Sequence, residues 1–552
     1  MSCTLMAMKR FVIGGGCLIS LLGFGAAACA AQSSIIGEWA GGYEIRGYYT
    51  PIRMRFSPDG TGIKGTLDFP QRGVTGSALD RVQFLSPNFH VEWPGGGGPG
   101  QPVIFEGQLN GGFITGSIEY NNGRGTFHLV HSVTLDAKTL DQYVGYYQIG
   151  RDSYVYIWRP DARDTPTGIM YSVRDLSNPD HRSGNLFPVS ETAFVVGPGR
   201  WVPYPVEINA VFIKNKKGQV TGLKWQPIGS SGMIGRKVEP HLYDEEEVKF
   251  SNGNVTLAGT LSLPLKKGRH PAVILISGSD PNTRGKGLPQ FFAQHGIAAL
   301  AYDKRGSGAS TGTLTGATVS DMAGDVSAGV RYLQQRLDID PGKVGVWAVS
   351  QGGWMAPVVA TTTPNVAFVI LHAGPAVSPR LQSRMELVNS FPSRFGLKQD
   401  ELNEAIAYQN LYFDAMNSDE AFEKLQATYQ QLQARGARWA WNPGTKDQLR
   451  AQWTRPNVDF DPVPFLERVQ CPVIAFFGEK DGLVPPGGNV AIMEAALKKA
   501  GNKDVTIKVL PGVNHLFQLP GMGSYGYQSS GKTPAGYYDV MIPWLKKRVN
   551  LR

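Results

Sequence analysis

The stretch Lys343-Val-Gly-Val-Trp-Ala-Val-Ser350-Gln-Gly-Gly-Trp354 decides how this 552-residue chain is read. Val344, Val346 and Ala348 end a buried strand, and Gln351 to Thr361 reads as a helix that stops before Pro364. Ser350 sits between them, at the apex of a sharp strand-to-helix turn. Such a turn forces the residues two before and two after the serine close together. Both must be small, and Ala348 and Gly352 meet that need, although the more usual pattern has glycine at both positions. A strained apex lifts the serine Oγ clear of the sheet edge, where a base can reach it.

Two later segments supply a base and its partner. The apolar run Pro472-Val-Ile-Ala-Phe-Phe477 leads into Gly478-Glu-Lys-Asp481-Gly-Leu-Val-Pro485, which leaves a carboxylate just past the end of a strand. The alternative for Asp481 is a plain turn residue in Asp-Gly. The run Val505-Thr-Ile-Lys-Val-Leu510 leads into Pro511-Gly-Val-Asn-His515-Leu-Phe517, a loop histidine free to swing over Ser350. A serine hydroxyl is a poor nucleophile at neutral pH. His515 would take its proton, and Asp481 would hold the imidazole tautomer and stabilise the imidazolium. His372 follows the run Ala367 to Leu371 but precedes the acid, so it reads as structural. His270 and His295 read as surface or packing residues. Nothing ties His90, His128, His131, His181 or His241 to the serine.

Acyl chemistry also needs two backbone N–H donors for the developing oxyanion. One is Gln351, next to the nucleophile. The other should lie in the loop after Pro271-Ala-Val-Ile-Leu-Ile276, where Ser279 is the first candidate and Gly278 the second.

From about Glu245 onward the chain resembles the α/β-hydrolase superfamily, within it the serine hydrolases related to dienelactone hydrolases and prolyl-oligopeptidase-type peptidases. The phrases that carry the resemblance are Phe250-Ser-Asn-Gly-Asn-Val-Thr-Leu-Ala-Gly-Thr-Leu-Ser-Leu-Pro264, Ile276-Ser-Gly-Ser-Asp-Pro-Asn-Thr-Arg284, Tyr302-Asp-Lys-Arg-Gly-Ser-Gly-Ala-Ser310 and the turn at Ser350. The chain order Ser350, Asp481, His515 is the order of that superfamily. The resemblance implies an α/β fold with a mostly parallel eight-stranded sheet and helices on both faces. It fixes no substrate, because this fold hosts many chemistries.

The patterning agrees. Apolar runs at 272–276, 297–301 and 473–477 suit strands covered on both faces. Val319, Met322, Ala323, Val326, Val330, Leu333 and Leu337 fall at helical spacing. Arg305 reads as half of a structural ion pair that braces loops. An insertion over about 379–462, rich in Gln, Glu, Leu, Ala and aromatics, reads as a helical cap. Most of its aromatics should form the cap's own core, with a minority left to line an apolar pocket over Ser350.

The start of the chain reads as a secretory leader over residues 1–30. Lys9 and Arg10 precede an apolar stretch from Phe11 to about Phe24, followed by Ala26-Ala-Ala-Cys29-Ala-Ala31. Cleavage releases either a chain beginning near Ala31 or one lipidated at Cys29, the only implied route to a membrane. The expected location is periplasmic or extracellular. Cleavage after Ala30 leaves only Cys471 of the four cysteines, which excludes an intrachain disulfide. No Cys/His cluster has zinc spacing, and neither metal nor cofactor is expected. The formal charge of +9 falls to +7 without the leader, and its basic residues are dispersed. That argues against a nucleic-acid partner.

Residues 35 to about 240 differ in kind. They are rich in Gly, Pro, aromatic and β-branched residues, and Asp59-Gly60, Asn110-Gly111 and Asn122-Gly123 are hairpin-type turns. The region splits near Leu135 into β-rich modules at 35–133 and 135–240. The first opens with Ile36-Gly-Glu-Trp39 and resembles small β-barrels that begin with a Gly-x-Trp strand. The second is similar to β modules found beside bacterial serine hydrolases. They either pack on the catalytic domain and shape access to its mouth, or include an open barrel for a lipid or glycan.

The expected activity is hydrolysis of a small-molecule carboxylic ester through an acyl-enzyme. Two rivals stand beside it: a peptidase or amidase of the prolyl-oligopeptidase kind, and a binding protein with an inert hydrolase domain. Dehalogenase and epoxide hydrolase chemistry would need an Asp where this chain has Ser350.

Overall fold

The computed structural model describes residues 34–552 except 46–47, 70–73, 95–101, 121–122, 152, 160–166, 176–181, 197–207, 228–229, 280–283, 285–286, 516, 518–535 and 552. The expected leader, with Cys29, lies outside the described residues. The rest forms two closed β-barrels followed by a mixed eight-stranded sheet.

Both barrels are antiparallel meanders of eight strands, the first between Gly37 and Ser132, the second between Gly145 and Val238. Their hairpins follow from turn chemistry. Asp59 pairs with Gly62 and Asn110 with Phe113 across two-residue loops. Gly60 and Gly111 there take φ of 59° and 62°, the left-handed conformation such loops require. Alternate residues point inward, and in the first barrel they include Trp39, Met54, Phe56, Phe69, Phe105 and Phe127, all buried. The Phe105 ring lies 5.3 Å from Phe127 and 6.2 Å from Tyr43. Side chains therefore fill the described interior of the first barrel. The second barrel is filled the same way, with Tyr143 stacked on Phe212 at 4.3 Å.

The barrels meet at a small apolar seam, Ala40, Phe113 and Val130 against Phe187 and Val195. Val133 N–H donates to the Pro188 carbonyl across it, at 2.9 Å. A one-turn helix, Ala137–Asp141, capped by Asp136, connects them.

Counting from the start of the catalytic domain, the sheet comprises β1 (Asp244–Asn252), β2 (Val255–Leu263), β3 (His270–Ile276), β4 (Ala298–Tyr302), β5 (Ile339–Val349), β6 (Val369–His372), β7 (Val473–Gly478) and β8 (Val505–Leu510). Their order is β1-β2-β4-β3-β5-β6-β7-β8, parallel from β4 onward. Strands β3, β4, β6 and β7 are buried along their whole length, which explains why they read as unbroken apolar runs. Around the sheet lie α1 (Gly287–Gln294), α2 (Val319–Gln334), α3 (Gly352–Thr362) and α4 (Pro379–Phe395). Thr318 and Asp321 form a capping box at the start of α2. The helix stops at Gln334, so Leu337, which fitted the helical spacing, lies beyond it and is 86% exposed. The turn into β5 takes over there.

Between β6 and β7 the chain builds a helical cap. It begins with α4 and continues through Gln399–Ala415 and Asp419–Ala434. Tyr408, Phe413, Phe422, Leu425 and Trp439 form the cap's own core. Trp453 behaves differently: it packs on the catalytic core and stacks on Trp354 of α3, with centroids 5.8 Å apart.

Candidate active site

The C-terminal ends of the parallel strands bring Ser350, Asp481 and His515 to one edge. Ser350 follows β5 with φ at +51°, a costly conformation for a residue with a Cβ and a mark of the strained turn. Gly352 begins α3. A Cβ there would stand 2.7 Å from the Ile276 carbonyl oxygen, which is the physical reason for a small residue two places after the serine. Ala348 on the other side is fully buried.

Asp481 and His515 are joined. The His515 Nδ1–H donates to Asp481 Oδ2 at 2.8 Å, and the Asp481 side chain has no exposed surface. The other carboxylate oxygen accepts from the backbone N–H groups of Leu483 and Val484, each at 2.8 Å. Both oxygens are thus committed, and the carboxylate cannot turn away from the imidazole. With Nδ1 donating, Nε2 of neutral His515 keeps the lone pair that a general base needs. Asp481 is therefore more than a turn residue.

The expected oxyanion loop runs beside the serine. A Cβ on Gly278 would lie 3.4 Å from Ser350 Cβ, in ordinary contact. Gln351 caps the N-terminus of α3, where backbone N–H groups lack helical partners. Lys304, a buried residue just past β4, was not singled out by sequence reasoning. Its Nζ donates to the Gly278 carbonyl and, at 3.1 Å, to Gln351 Oε1. The Gly278 carbonyl and the Ser279 N–H belong to one trans peptide and point in opposite directions. Holding the carbonyl at Lys304 therefore fixes the direction of the Ser279 N–H. The only signal for Lys304 was its place in Tyr302-Asp-Lys-Arg, beside the more conspicuous Arg305. Arg305 itself forms a two-pronged pair with buried Asp325, at 2.7 and 2.8 Å, and braces α2 as expected.

The cap is fastened to this edge by two buried asparagines. Asn489 Oδ1 accepts from the Ala376 N–H at 2.8 Å, while its amide donates to Pro485 O at 2.9 Å and to Gln382 Oε1 of α4 at 3.2 Å. Gln382 in turn donates to the Leu483 carbonyl, in the loop whose N–H groups hold Asp481. At the far end of the cap, Asn457 Oδ1 accepts from Val319 N–H at 2.7 Å and its amide donates to Ala317 O at 2.9 Å.

This strand order, serine turn and Asp–His pair coincide with a family match. Residues 272–519 match the model of the family described as serine aminopeptidase, S33. The catalytic domain is that of an α/β-hydrolase. Among relatives of this hydrolase, esterase EstD of Thermotoga maritima is 24% identical over 355 residues, 62% of this chain and 77% of the relative. An uncharacterized 31.7 kDa protein of the traX-finO intergenic region of Escherichia coli is 21% identical over 267 residues, 47% of this chain and 87% of the relative. Among solved structures, acetyl xylan esterase 1 of Thermoanaerobacterium sp. JW/SL YS485 is 15% identical, covers 56% of the hydrolase and 85% of its own chain, and has a TM-score of 0.35. Est1E of Butyrivibrio proteoclasticus, solved with ferulic acid bound, is 16% identical, covers 55% and 98%, and has a TM-score of 0.34.

Proposed function

We propose that the protein is an exported serine esterase. Ser350 attacks the carbonyl carbon of a small-molecule carboxylic ester as His515 Nε2 takes its proton. The tetrahedral oxyanion is held by the backbone N–H of Gln351 and that of Ser279, with Gly278 the alternative. The imidazolium, stabilised by Asp481, then protonates the leaving alcohol. Water activated by His515 releases the acid from the acyl-enzyme.

One observation carries this reading: the buried Asp481 carboxylate, bonded to His515 Nδ1 and to two backbone N–H groups, leaves the Nε2 lone pair available at the sheet edge that also carries Ser350 at positive φ. The relative named as an esterase, EstD, supports the choice of ester. The S33 description favours the rival, an aminopeptidase. A peptidase of the prolyl-oligopeptidase kind usually carries groups that grip a peptide terminus, and its catalytic domain is paired with a propeller. Here the catalytic domain follows two filled antiparallel barrels. Export rests on residues 1–30, and mass spectrometry of the mature N-terminus distinguishes a chain beginning near Ala31 from one lipidated at Cys29.

The test compares nitrophenyl esters of increasing acyl length with a peptide anilide, using the mature chain and Ser350→Ala. Ester turnover should exceed anilide turnover and fall by about 10⁶-fold in the variant, the scale of losing a catalytic serine. Preference for the anilide would make the protein an amidase. Equal ester activity in both proteins would remove Ser350 from the mechanism.

A further inference from the structure

The buried residue that touches both reacting partners' backbones is a second histidine. His372 ends β6, beside the end of β5, where Val349 is its cross-strand partner. Its carbonyl accepts the Ser350 N–H at 2.9 Å. Its imidazole reaches the other way, and Nε2 lies 3.2 Å from the carbonyl oxygen of His515. That oxygen can only accept, so Nε2 carries a proton. Nδ1 lies 2.9 Å from the Tyr537 hydroxyl. Tyr537 in turn lies 3.2 Å from Trp347 Nε1, which can only donate. One relay satisfies every group: the Trp347 N–H donates to the Tyr537 oxygen, the Tyr537 O–H to His372 Nδ1, and the His372 Nε2–H to the His515 carbonyl. The tautomer is fixed by its neighbours.

Packing holds the ring as firmly as the hydrogen bonds. His372 stacks on Phe517 with centroids 3.6 Å apart and planes 15° apart, and Tyr537 meets it edge-on at 5.3 Å. Phe517 lies two residues after His515, so the stack grips the far side of the loop that carries the base. The near side is held by the Lys480 N–H on the Val513 carbonyl at 2.8 Å. Burial pushes the His372 imidazole down to about 3, and repulsion from His515, whenever that ring is protonated, acts in the same direction. At neutral pH the ring is therefore uncharged and cannot compete with His515 for the serine proton.

We propose that His372 is the positioning residue of this site, its Nε2–H holding the backbone of the base while its own carbonyl holds the backbone of the nucleophile. The proposal rests on the serine-hydrolase reading above. It assigns to one residue, through its backbone carbonyl and its ring, the distance between Ser350 and His515, a distance to which rates are steep: a misplacement of about 1 Å costs about 10²-fold.

The test uses the intact protein and three variants. His372→Phe keeps a ring against Phe517 but removes the donor. His372→Gln restores an N–H close to where Nε2 stood. Tyr537→Phe removes the proton that fixes the tautomer. We expect His372→Phe to lower kcat about 10²-fold with KM within about twofold of the parent. Labelling of Ser350 by a fluorophosphonate, measured per folded molecule, should slow by the same factor. His372→Gln should recover most of that loss, and Tyr537→Phe should lie between. Histidine ¹⁵N spectra of the parent should show His372 protonated at Nε2 and bare at Nδ1 throughout pH 5–8. Parent-like kcat in His372→Phe, or His372→Gln as slow as His372→Phe, would overturn the proposal, as would the opposite tautomer. If His372→Phe does not fold, the other two variants and the spectrum decide. If the parent hydrolyses no ester at all, the esterase reading fails while labelling rates and tautomer still judge His372.

Discussion

The barrels and the catalytic sheet bury their polar groups differently. Among the described residues of the barrels, the buried polar and charged side chains are few and scattered: Asp68, His128, Ser132 and Asn185. In the catalytic domain Lys304, His372, Gln382, Asp481, Asn489 and His515 are buried together at one edge of the sheet, and most are tied to one another. Desolvating such groups is expensive unless every one is paired. A region that concentrates them has a reason beyond stability. The barrels are built to be filled, and the sheet edge is built to hold atoms in place.

The sharpest way to break this contrast is at Asp481. Asp481→Asn should preserve the fold yet cut turnover by about 10⁴-fold, because an amide cannot enforce the same imidazole tautomer. Near-parent kcat would place the acid elsewhere. A cut of comparable free energy in the barrel should have the opposite signature. Phe105→Ala removes a fully buried ring and should cost about 3–5 kcal/mol of local stability, read by hydrogen exchange across residues 103–120. Ester kcat should stay within twofold, and a matching loss of kcat would make the barrel part of the site. Lys304→Met tests the oxyanion loop. Losing the tether on Gly278 and Gln351 should lower kcat about 10²-fold with little change in KM, and an unchanged kcat would mean the donors are set without it.

The smallest effect concerns acid. Burial lowers His128 of the first barrel to about 4, so the folded barrel holds it neutral. The unfolded chain takes up that proton below about 6.5. That stability is complete above pH 6.5 and is lost as pH falls toward 4, with a loss of about 2 kcal/mol by pH 5. Exchange protection of Gly123–Ser132, corrected for intrinsic rates, should weaken between pH 7 and 5. His128→Leu should flatten that dependence, and an unchanged slope would exonerate His128.

The residues legible in the sequence were those at the ends of apolar runs. Ser350, Asp481 and His515 each follow a strand, and a strand buried on both faces announces itself in composition. Barrel strands were legible through turns such as Asp59-Gly60. The barrel form of the first module was legible only through its resemblance to small β-barrels, because the pairing of Glu38 with Ser132 joins the two ends of the module and leaves no local trace. Lys304 and Asn489 were not singled out for the same reason, and His372 was read only as structural. Each acts through partners far along the chain, and none differs in its neighbourhood from an ordinary loop or core polar residue. Leu337 shows the converse error, since an apolar residue in helical phase is no guarantee that the helix continues.

The two buried asparagines that fasten the cap set a rule for anyone wishing to re-tool this enzyme. Asn489 and Asn457 work like the hinge pins of a door whose leaf is the helices between them. Residues 399–456 can be exchanged for another leaf while α4, Asn457 and Asn489 stay with the frame. An exchange that takes α4 as well removes Gln382 from the loop behind Asp481, and the graft would then inherit a new pocket above a loosened acid.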